Sequence, residues 1–409
     1  MIKKILNEFP TLSFYNKIQI FLIIIICFKM EFREEGKFFN PLNFQQTKNM
    51  KGILSILVFL THLDGLKLKK TSYYFFSRLT YGYILVGFFF FYSGYGLMKQ
   101  YLTKKNYLKG FLRKRLITIL IPFYLVNTIC GLIFYYTGRK YYNSSNHLRL
   151  REKNPTIIFE TFSGIIPAYY IGWYTIVLTI LTILFYFSFK FIKYDFINIG
   201  IIFIFISYTL YYGSYTRVGL YYFRTLLWNQ STFSFFFGLI IAKFEKNIFA
   251  VVQKYHSLFL GIFLYIYFIF YDYLNKYQIY LEKYNINIDR NQYHYLKKCI
   301  LFNFNCIINI IVVHIILMKV YLNNKILDFL GNISSDIYYY HKFGITLFRT
   351  DLIYFNDDGT YVFMSFIWAI LIPLLMSYVN SFLVHFFLNI AFFNFNFFQE
   401  KNKQIKKIN

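Results

Sequence analysis

The stretch NMKGILSILVFLTHLDG, residues 49–65, is an almost unbroken apolar run that contains one histidine, His62. The apolar character extends over residues 52–68, which is long enough for a helix that crosses the hydrocarbon layer. Ionisable side chains at that depth are rare and usually face a protein interior or a cavity. His62 is therefore a candidate functional residue. The structural alternative, a buried histidine bonded to a neighbouring helix, stays open from these residues alone.

The whole chain has the composition of a membrane protein. Of its 409 residues, 57% are hydrophobic and only 15% are charged, whereas soluble domains are about 45–50% apolar and about 25% charged. We predict an all-α membrane protein: a bundle of about ten core transmembrane helices plus one N-terminal helix that spans the membrane or lies along its interface. The predicted apolar segments are 13–30, 52–68, 80–98, 116–136, 170–189, 196–212, 225–242, 257–273, 299–318, 329–347 and 361–390.

These segments divide the chain into three parts and set its orientation. Residues 1–47 form an N-terminal segment, residues 48–394 a polytopic membrane domain and residues 395–409 a basic tail. The loop 99–115 carries seven Lys or Arg residues and no acidic one, and loops of this kind stay in the cytoplasm. This orientation also places the tail in the cytoplasm, and it places His62 in the middle or outer half of the bilayer.

The net charge of +26 does not indicate nucleic-acid binding. The 44 basic residues lie between apolar runs, where they orient helices and meet the anionic headgroups of membrane lipids. Nucleic-acid binding requires basic residues gathered on one face instead. The four cysteines form no CxxC pair, so we expect neither a metal site nor a disulfide framework.

Further polar side chains occur at membrane depth in other predicted helices. The stretch GNISSDIYYYHKFG, residues 331–344, contains Asp336 and His341, and GFFFFYSGYGL, residues 87–97, contains Ser93. An isolated carboxylate in lipid is costly, so we expect Asp336 to have a partner, for which a histidine is one possibility. All three side chains are candidates for lining a substrate site or cavity.

The chemistry that best fits these residues is general-base catalysis. A neutral imidazole can take a proton from a hydroxyl, and His62 is placed to do so. The chain has neither a GxSxG nucleophile elbow nor the HExxH spacing of a zinc protease. We therefore favour direct activation of a substrate hydroxyl. An acyl-enzyme intermediate with Ser93 as the nucleophile is the less favoured alternative.

The basic loop 99–115 offers a second functional site. Arg113 and Arg115 can each grip a phosphate with two hydrogen bonds, and the positive charges around them concentrate a polyanionic ligand from the cytosol. Topology alone is the other interpretation, since the same charges orient the neighbouring helices.

The chain resembles the acyltransferase-3 family of integral membrane acyltransferases. Four stretches resemble the family's motifs in the family's order, and two weaker ones lie between them. The first two are NMKGILSILVFLTHLDG and GFFFFYSGYGLM. The others are FLRKRLITILIPFYL, GWYTIVL, WNQSTFSFFFGLIIA and LGNISSDIYYYHK. The resemblance runs from about residue 48 to residue 390 and implies a ten-helix membrane fold.

The resemblance implies transfer of an acyl group, usually acetyl, from cytosolic acyl-CoA to a hydroxyl of a carbohydrate or lipid-linked glycan. His62 matches the family's essential histidine, and Arg113, Lys114 and Arg115 match its basic cluster on the acyl-CoA side. Acyl-CoA is the donor substrate, with no permanently bound cofactor. Many members have paired histidines where this chain has Thr61 and His62.

A bacterial cytoplasmic membrane is the expected location. Any second transfer of the acyl group, to a final acceptor, would require a separate extracytoplasmic transferase. Two other functions are compatible with a polytopic membrane chain: a transporter or flippase for a saccharide or lipid-linked glycan, with histidines as proton relays, and a glycan polymerase or ligase. The transporter explains the buried polar residues but not the ordered motifs.

Overall fold

The structure, a computed structural model, describes residues 14–34, 36–64, 82–137, 172–215, 229–284, 292–349 and 358–408. Within these ranges the chain is almost entirely helical. The helices are α1 (Phe14–Cys27), α2 (Phe44–Asp64), α3 (Gly82–Thr103), α4 (Phe111–Thr137), α5 (Trp173–Phe191), α6 (Asp195–Tyr215), α7 (Phe233–Lys254), α8 (His256–Lys283), α9 (Gln292–Leu317), α10 (Lys325–Asn332), α11 (Ser334–Arg349) and α12 (Asp358–Ile408). The strands β1 (Met30–Phe32) and β2 (Val320–Leu322) pair antiparallel.

Five helices in this part of the chain are long and apolar enough to cross a membrane. Large apolar side chains on their outer faces are exposed, for example Phe268 on α8 and Phe382 on α12, and an apolar surface of this extent matches lipid rather than water. The all-α membrane architecture is therefore confirmed, and the number of about ten core helices stays a prediction. The five segments are Trp173–Phe191, Asp195–Tyr212, His256–Lys283, Gln292–Leu317 and Ile367–Ala391.

Helix α2 begins eight residues before the predicted apolar segment. Its first turns carry Gln46, whose side chain bonds to the backbone of β2: Nε2 donates to the Val320 carbonyl at 2.8 Å and Oε1 accepts from the Leu322 N–H at 3.0 Å. Hydrogen bonds to the strand backbone therefore stabilise these polar turns. A hydropathy pattern does not detect such bonds. Residues 65–68, the predicted end of the segment, lie outside the described residues.

The predicted segment 329–347 is divided between α10 and α11. Asn324 caps the start of α10, since its Oδ1 accepts from the Ile326 N–H at 2.8 Å. Helix α10 then crosses α2 closely: a Cβ on Gly52 would lie 2.6 Å from the Leu327 carbonyl oxygen, and one on Gly331 would overlap the Lys48 carbonyl. This crossing fixes α10, and α11 after it, against α2.

Helix α3 is the central element of the bundle. Most of its residues from Ile84 to Met98 are buried, and its closest neighbour is α7. A Cβ on Gly94 would overlap the Phe235 carbonyl, and a Cβ on Gly238 would overlap the Phe91 carbonyl. The two glycines therefore allow α3 and α7 to pack backbone against backbone.

Candidate active site

His62 and His341 lie next to each other. The two imidazole rings stack with their centroids 5.1 Å apart and 27° between their planes. His62 is half-buried in the last turn of α2, and His341 is fully buried on α11. Two histidines that the sequence singled out separately thus share one site.

The orientation of His341 is set by its own helix. Its Nδ1 lies 2.9 Å from the Ile337 carbonyl oxygen. Because a carbonyl only accepts hydrogen bonds, Nδ1 carries the proton, and in the neutral ring the lone pair is on Nε2. Phe59 meets the ring edge-on at 6.5 Å between centroids. Helix geometry and packing therefore hold one tautomer beside His62.

Ser93 is connected to the histidines through two tyrosines. Its Oγ donates to the Phe89 carbonyl at 2.8 Å, and its side chain is hydrogen-bonded to Tyr174. The Tyr174 ring lies 5.1 Å from that of Tyr338, which lies 6.2 Å from His341. The Ser93 hydroxyl proton is engaged by its own helix, which suits a residue that lines the site better than a nucleophile.

Arg115 is the predicted basic residue that turns towards the interior. Its guanidinium is hydrogen-bonded to Tyr107 and interacts electrostatically with Lys51 and Tyr174. Burial raises the pKa of the Tyr107 phenol, and the positive charge of Arg115 opposes that rise. The positive charge of Arg115 therefore lies near Tyr174, the first of the rings Tyr174, Tyr338 and His341 that contact one another in turn.

The other two predicted basic residues are exposed. Arg113 donates to the Ala391 carbonyl of α12, and Lys114 follows it on the surface of α4. The three neighbouring cations thus differ in surroundings, and acyl-CoA binding by them stays a prediction.

Asp336 is buried, and its partner is an amide. Asn380 of α12 donates through Nδ2 to Asp336 Oδ1 at 2.5 Å. This bond satisfies a carboxylate that would be costly to bury alone, and it ties α11 to α12. Helix α11, which carries His341, is thus anchored to α12 through Asp336.

The comparison with protein families decides the class of this protein. The model described as "Acyltransferase domain" (acyltransferase-3) matches residues 47–393. The chain belongs to the acyltransferase-3 family. The matched range contains every predicted site residue of this membrane acyltransferase. Comparisons with curated proteins and with solved structures found no match.

Two residues close to the predicted site residues were not themselves predicted. Lys51 places its Nζ 5.8 Å from the centre of the Tyr92 ring and interacts with Arg115; it stands in the opening stretch, where a lysine before an apolar run indicates topology. Asn380 lies within the predicted apolar segment 361–390, and a single amide there carries little signal. Lys51 lies 11 residues before His62, about 16 Å along α2 at about 1.5 Å per residue.

Proposed function

We propose that the protein transfers an acetyl group from acetyl-CoA to a hydroxyl of a cell-surface carbohydrate or lipid-linked glycan, with His62 as the general base. The observation that carries the proposal is the stacked His62–His341 pair, which is connected through Tyr338 and Tyr174 to the positive charge of Arg115. Lys51 adds a second cation near Arg115. The predicted orientation places those charges towards the cytoplasm of a bacterial cell and the histidines deeper in its membrane.

The reaction needs one proton transfer and one exchange of bonds. His62 takes the proton of the acceptor hydroxyl as the oxygen attacks the thioester carbonyl carbon. The tetrahedral intermediate then collapses, the C–S bond breaks, and the CoA thiolate recovers a proton from the imidazolium. The products are the ester and free CoA, and no further reactant is required.

The donor is held from the cytoplasmic side. Arg115 and Lys51 offer charge-assisted hydrogen bonds to the CoA phosphates. The part of acetyl-CoA that carries the thioester extends into the bundle past Ser93 and Tyr174. The separation of about 16 Å between Lys51 and His62 along α2 requires an extended donor of this kind. The acceptor approaches from the His62 end.

His341 acts as a positioning residue. Its Nδ1 proton is engaged by the Ile337 carbonyl, so the ring presents a fixed face to His62. Stacking restricts the rotamers of His62 and orients its nitrogen atoms towards the acceptor. A preorganised base loses less entropy on reaching the transition state.

The proposal is tested with the purified protein in liposomes that contain labelled acetyl-CoA on the cytoplasmic side and a membrane-derived glycan fraction on the other. We expect label to appear in the glycan as an alkali-labile ester. Movement of unmodified saccharide across the bilayer without labelled ester would contradict the proposal and favour the transporter alternative.

The basic residues give a second prediction for the same assay. Replacing Arg115 with Ala should raise the KM for acetyl-CoA about tenfold or more, because a hydrogen bond to a charged phosphate contributes about 1.5–3 kcal/mol. The kcat at saturating donor should change much less. Steady-state kinetics with varied acetyl-CoA measures both quantities.

Lys114→Ala is the matched control for Arg115→Ala, since it removes the adjacent charge from an exposed position. We expect a change in KM of less than about threefold, as surface charges contribute about 0–1 kcal/mol. Equal effects of the two substitutions would show that the loop acts only through its net charge.

A further inference from the structure

A row of tyrosine rings lies at the end of α8. The rings of Tyr273 and Tyr277 are nearly parallel, with their centroids 6.5 Å apart. The Tyr280 ring lies 6.5 Å from that of Tyr277 and 4.9 Å from that of Tyr284. All of these side chains except Tyr277 are exposed. The end of α8 therefore presents a continuous aromatic surface.

Lys297 of α9 places its ammonium group on this surface. Its Nζ lies 4.7 Å from the centre of the Tyr277 ring, and 5.8 and 5.9 Å from the centres of the Tyr273 and Tyr293 rings. Aromatic faces within about 6 Å attract a cation. The ammonium is hydrogen-bonded to Tyr273, and because it has three donors, it retains donors for a ligand. We call Tyr293 and the row on α8 the tyrosine platform.

The carboxylates of this part of α8 are engaged by α8 itself. Asp272 is paired with Lys276 at 2.6 Å, and Glu282 accepts a hydrogen bond from Gln278 at 2.8 Å. None of the salt bridges among the described residues includes Lys297. The platform therefore offers a positive charge that suits an anionic ligand.

The platform extends too far along the helix axis to be a set of membrane-interface anchors. From Tyr273 to Tyr284 the chain advances about 16 Å at about 1.5 Å per residue, whereas each headgroup layer is about 5–8 Å thick. Tyrosines that anchor a helix lie at the headgroup level. Charged side chains occur throughout the same turns, from Asp272 to Lys283, which excludes the hydrocarbon layer. Part of the platform therefore lies beyond the headgroups, in water.

The platform lies at the same end of the bundle as the histidine pair. The Oγ1 of Thr61, the residue before the proposed base, is 3.8 Å from the position of a Cβ on Gly82. The next residue, Tyr83, stacks on Phe302 of α9 with the centroids 4.3 Å apart. Lys297 lies five residues before Phe302, about 7–8 Å further out along α9. The platform thus adjoins the side from which the acceptor approaches the base.

We propose that the tyrosine platform is the subsite that holds the sugar chain of an anionic oligosaccharide acceptor, with a uronate carboxylate or a sugar phosphate on Lys297. The negative faces of aromatic rings attract the polarised C–H groups of a sugar ring, and phenol hydroxyls bond to sugar hydroxyls. The length of about 16 Å accommodates more than one sugar ring. The subsite rests on the acyl transfer proposed above, because it gives that reaction its acceptor.

The binding test uses the purified full-length protein in neutral detergent and equilibrium dialysis with labelled hexagalacturonate or its methyl ester. The two probes share their sugar rings and differ in charge. We expect hexagalacturonate to bind about tenfold tighter or more, because the ester loses the charge-assisted hydrogen bond. A phosphorylated oligomannose, compared with its dephosphorylated form, distinguishes a sugar phosphate from a uronate. Failure of both anionic oligosaccharides to bind more tightly than their neutral forms would overturn the proposal.

Two lysine variants test the position of the charge. In Lys297→Gln the anionic and neutral probes should bind equally. Lys254→Gln is the matched control, because Lys254 lies 5.1 Å from the centre of the Tyr255 ring at the other end of α8, and it should keep the difference. Equal losses in both variants would show that only the net charge of the protein attracts the probes, and would overturn the proposal.

Ring substitutions test the aromatic contacts. Tyr280→Ala combined with Tyr293→Ala should weaken the binding of charged and neutral probes about fivefold or more. Tyr265→Ala, at an exposed ring nearer the middle of α8, should leave binding unchanged, and thermal unfolding shows whether the variants fold. Phosphatidylglycerol in mixed micelles should not displace hexagalacturonate. Displacement that is lost in Lys297→Gln would identify a lipid site and overturn the proposal.

The liposome assay separates the subsite from acyl transfer itself. With an anionic glycan as acceptor, Lys297→Gln should raise the KM for the glycan about tenfold or more and leave the KM for acetyl-CoA unchanged. An unchanged KM for the glycan in a folded, active Lys297→Gln protein would overturn the subsite. Tight binding of hexagalacturonate by a wild-type protein that forms no ester would support the platform as a saccharide site and contradict the acyl transfer.

Discussion

Replacing His62 with Gln should reduce the rate of acyl transfer by about 10²–10⁴-fold, the usual contribution of a general base. Glutamine keeps a polar group of similar length, but it cannot take a proton from the acceptor. The KM for acetyl-CoA should stay near that of the wild type, because Lys51, one of the two proposed donor-binding charges, lies about 16 Å away along α2. The measurement is the initial rate of labelled ester formation at saturating donor.

The control for His62 is another histidine on the membrane bundle. His385 lies exposed on α12, with its Nδ1 2.8 Å from the Ser381 carbonyl, and His385→Gln should retain the wild-type rate. Thermal unfolding of both variants separates catalysis from folding. Full activity in a correctly folded His62→Gln protein would exclude the general-base mechanism. Loss of activity in both variants would show that the assay reports on the stability of the bundle.

The sequence predicts His62 and His341 as separate candidates, but not their contact. Both stand in apolar runs that place them at membrane depth, which a hydropathy pattern can detect. Their stacking depends on α10 crossing α2 at Gly52 and Gly331 and on Asn380 anchoring α11 through Asp336. Such long-range packing has no local signal in the chain.

The residue before His62 illustrates the same limit. Where many members of the family carry a second histidine, Thr61 bonds to its own helix through the Val58 carbonyl at 2.8 Å. The ring that stacks on His62 comes from α11 instead. Comparison with the family's motif therefore shows that a histidine is missing at position 61. It does not show which distant residue lies beside His62.

The sequence does not show which of the charged side chains lie close together. Lys51 and the seven basic residues of the loop 99–115 are all positively charged, and the predicted membrane topology alone accounts for each of them. Only the structure shows that Lys51 and Arg115 lie near enough for their like charges to repel each other, whereas Arg113 bonds to α12. The direction of a long side chain depends on its neighbours, and hydropathy does not contain that information.

The stretch GFFFFYSGYGLM resembles the family's aromatic signature in its second core helix, and its glycine Gly94 has a structural role that predicts a large effect on folding. In Gly94→Ala the new Cβ would overlap the Phe235 carbonyl of α7. Backbone cannot rotate away as a side chain can, so α3 and α7 must separate. We expect a loss of stability at or above the upper end of the about 1–3 kcal/mol that overpacking costs, measured as a lower midpoint of thermal unfolding in detergent.

Gly96→Ala provides the matched control for Gly94→Ala, because it makes the same change two residues away in the same motif and helix. Apart from its own helix, none of the described residues has an atom within 4 Å of a Cβ at Gly96. Alanine in a helix is favoured over glycine by about 0.5–1 kcal/mol. Gly96→Ala should therefore keep or slightly raise the midpoint. Equal midpoints for the two variants would show that α3 and α7 are not in backbone contact. A fall confined to Gly94→Ala would establish that this motif positions the central helix that carries Ser93.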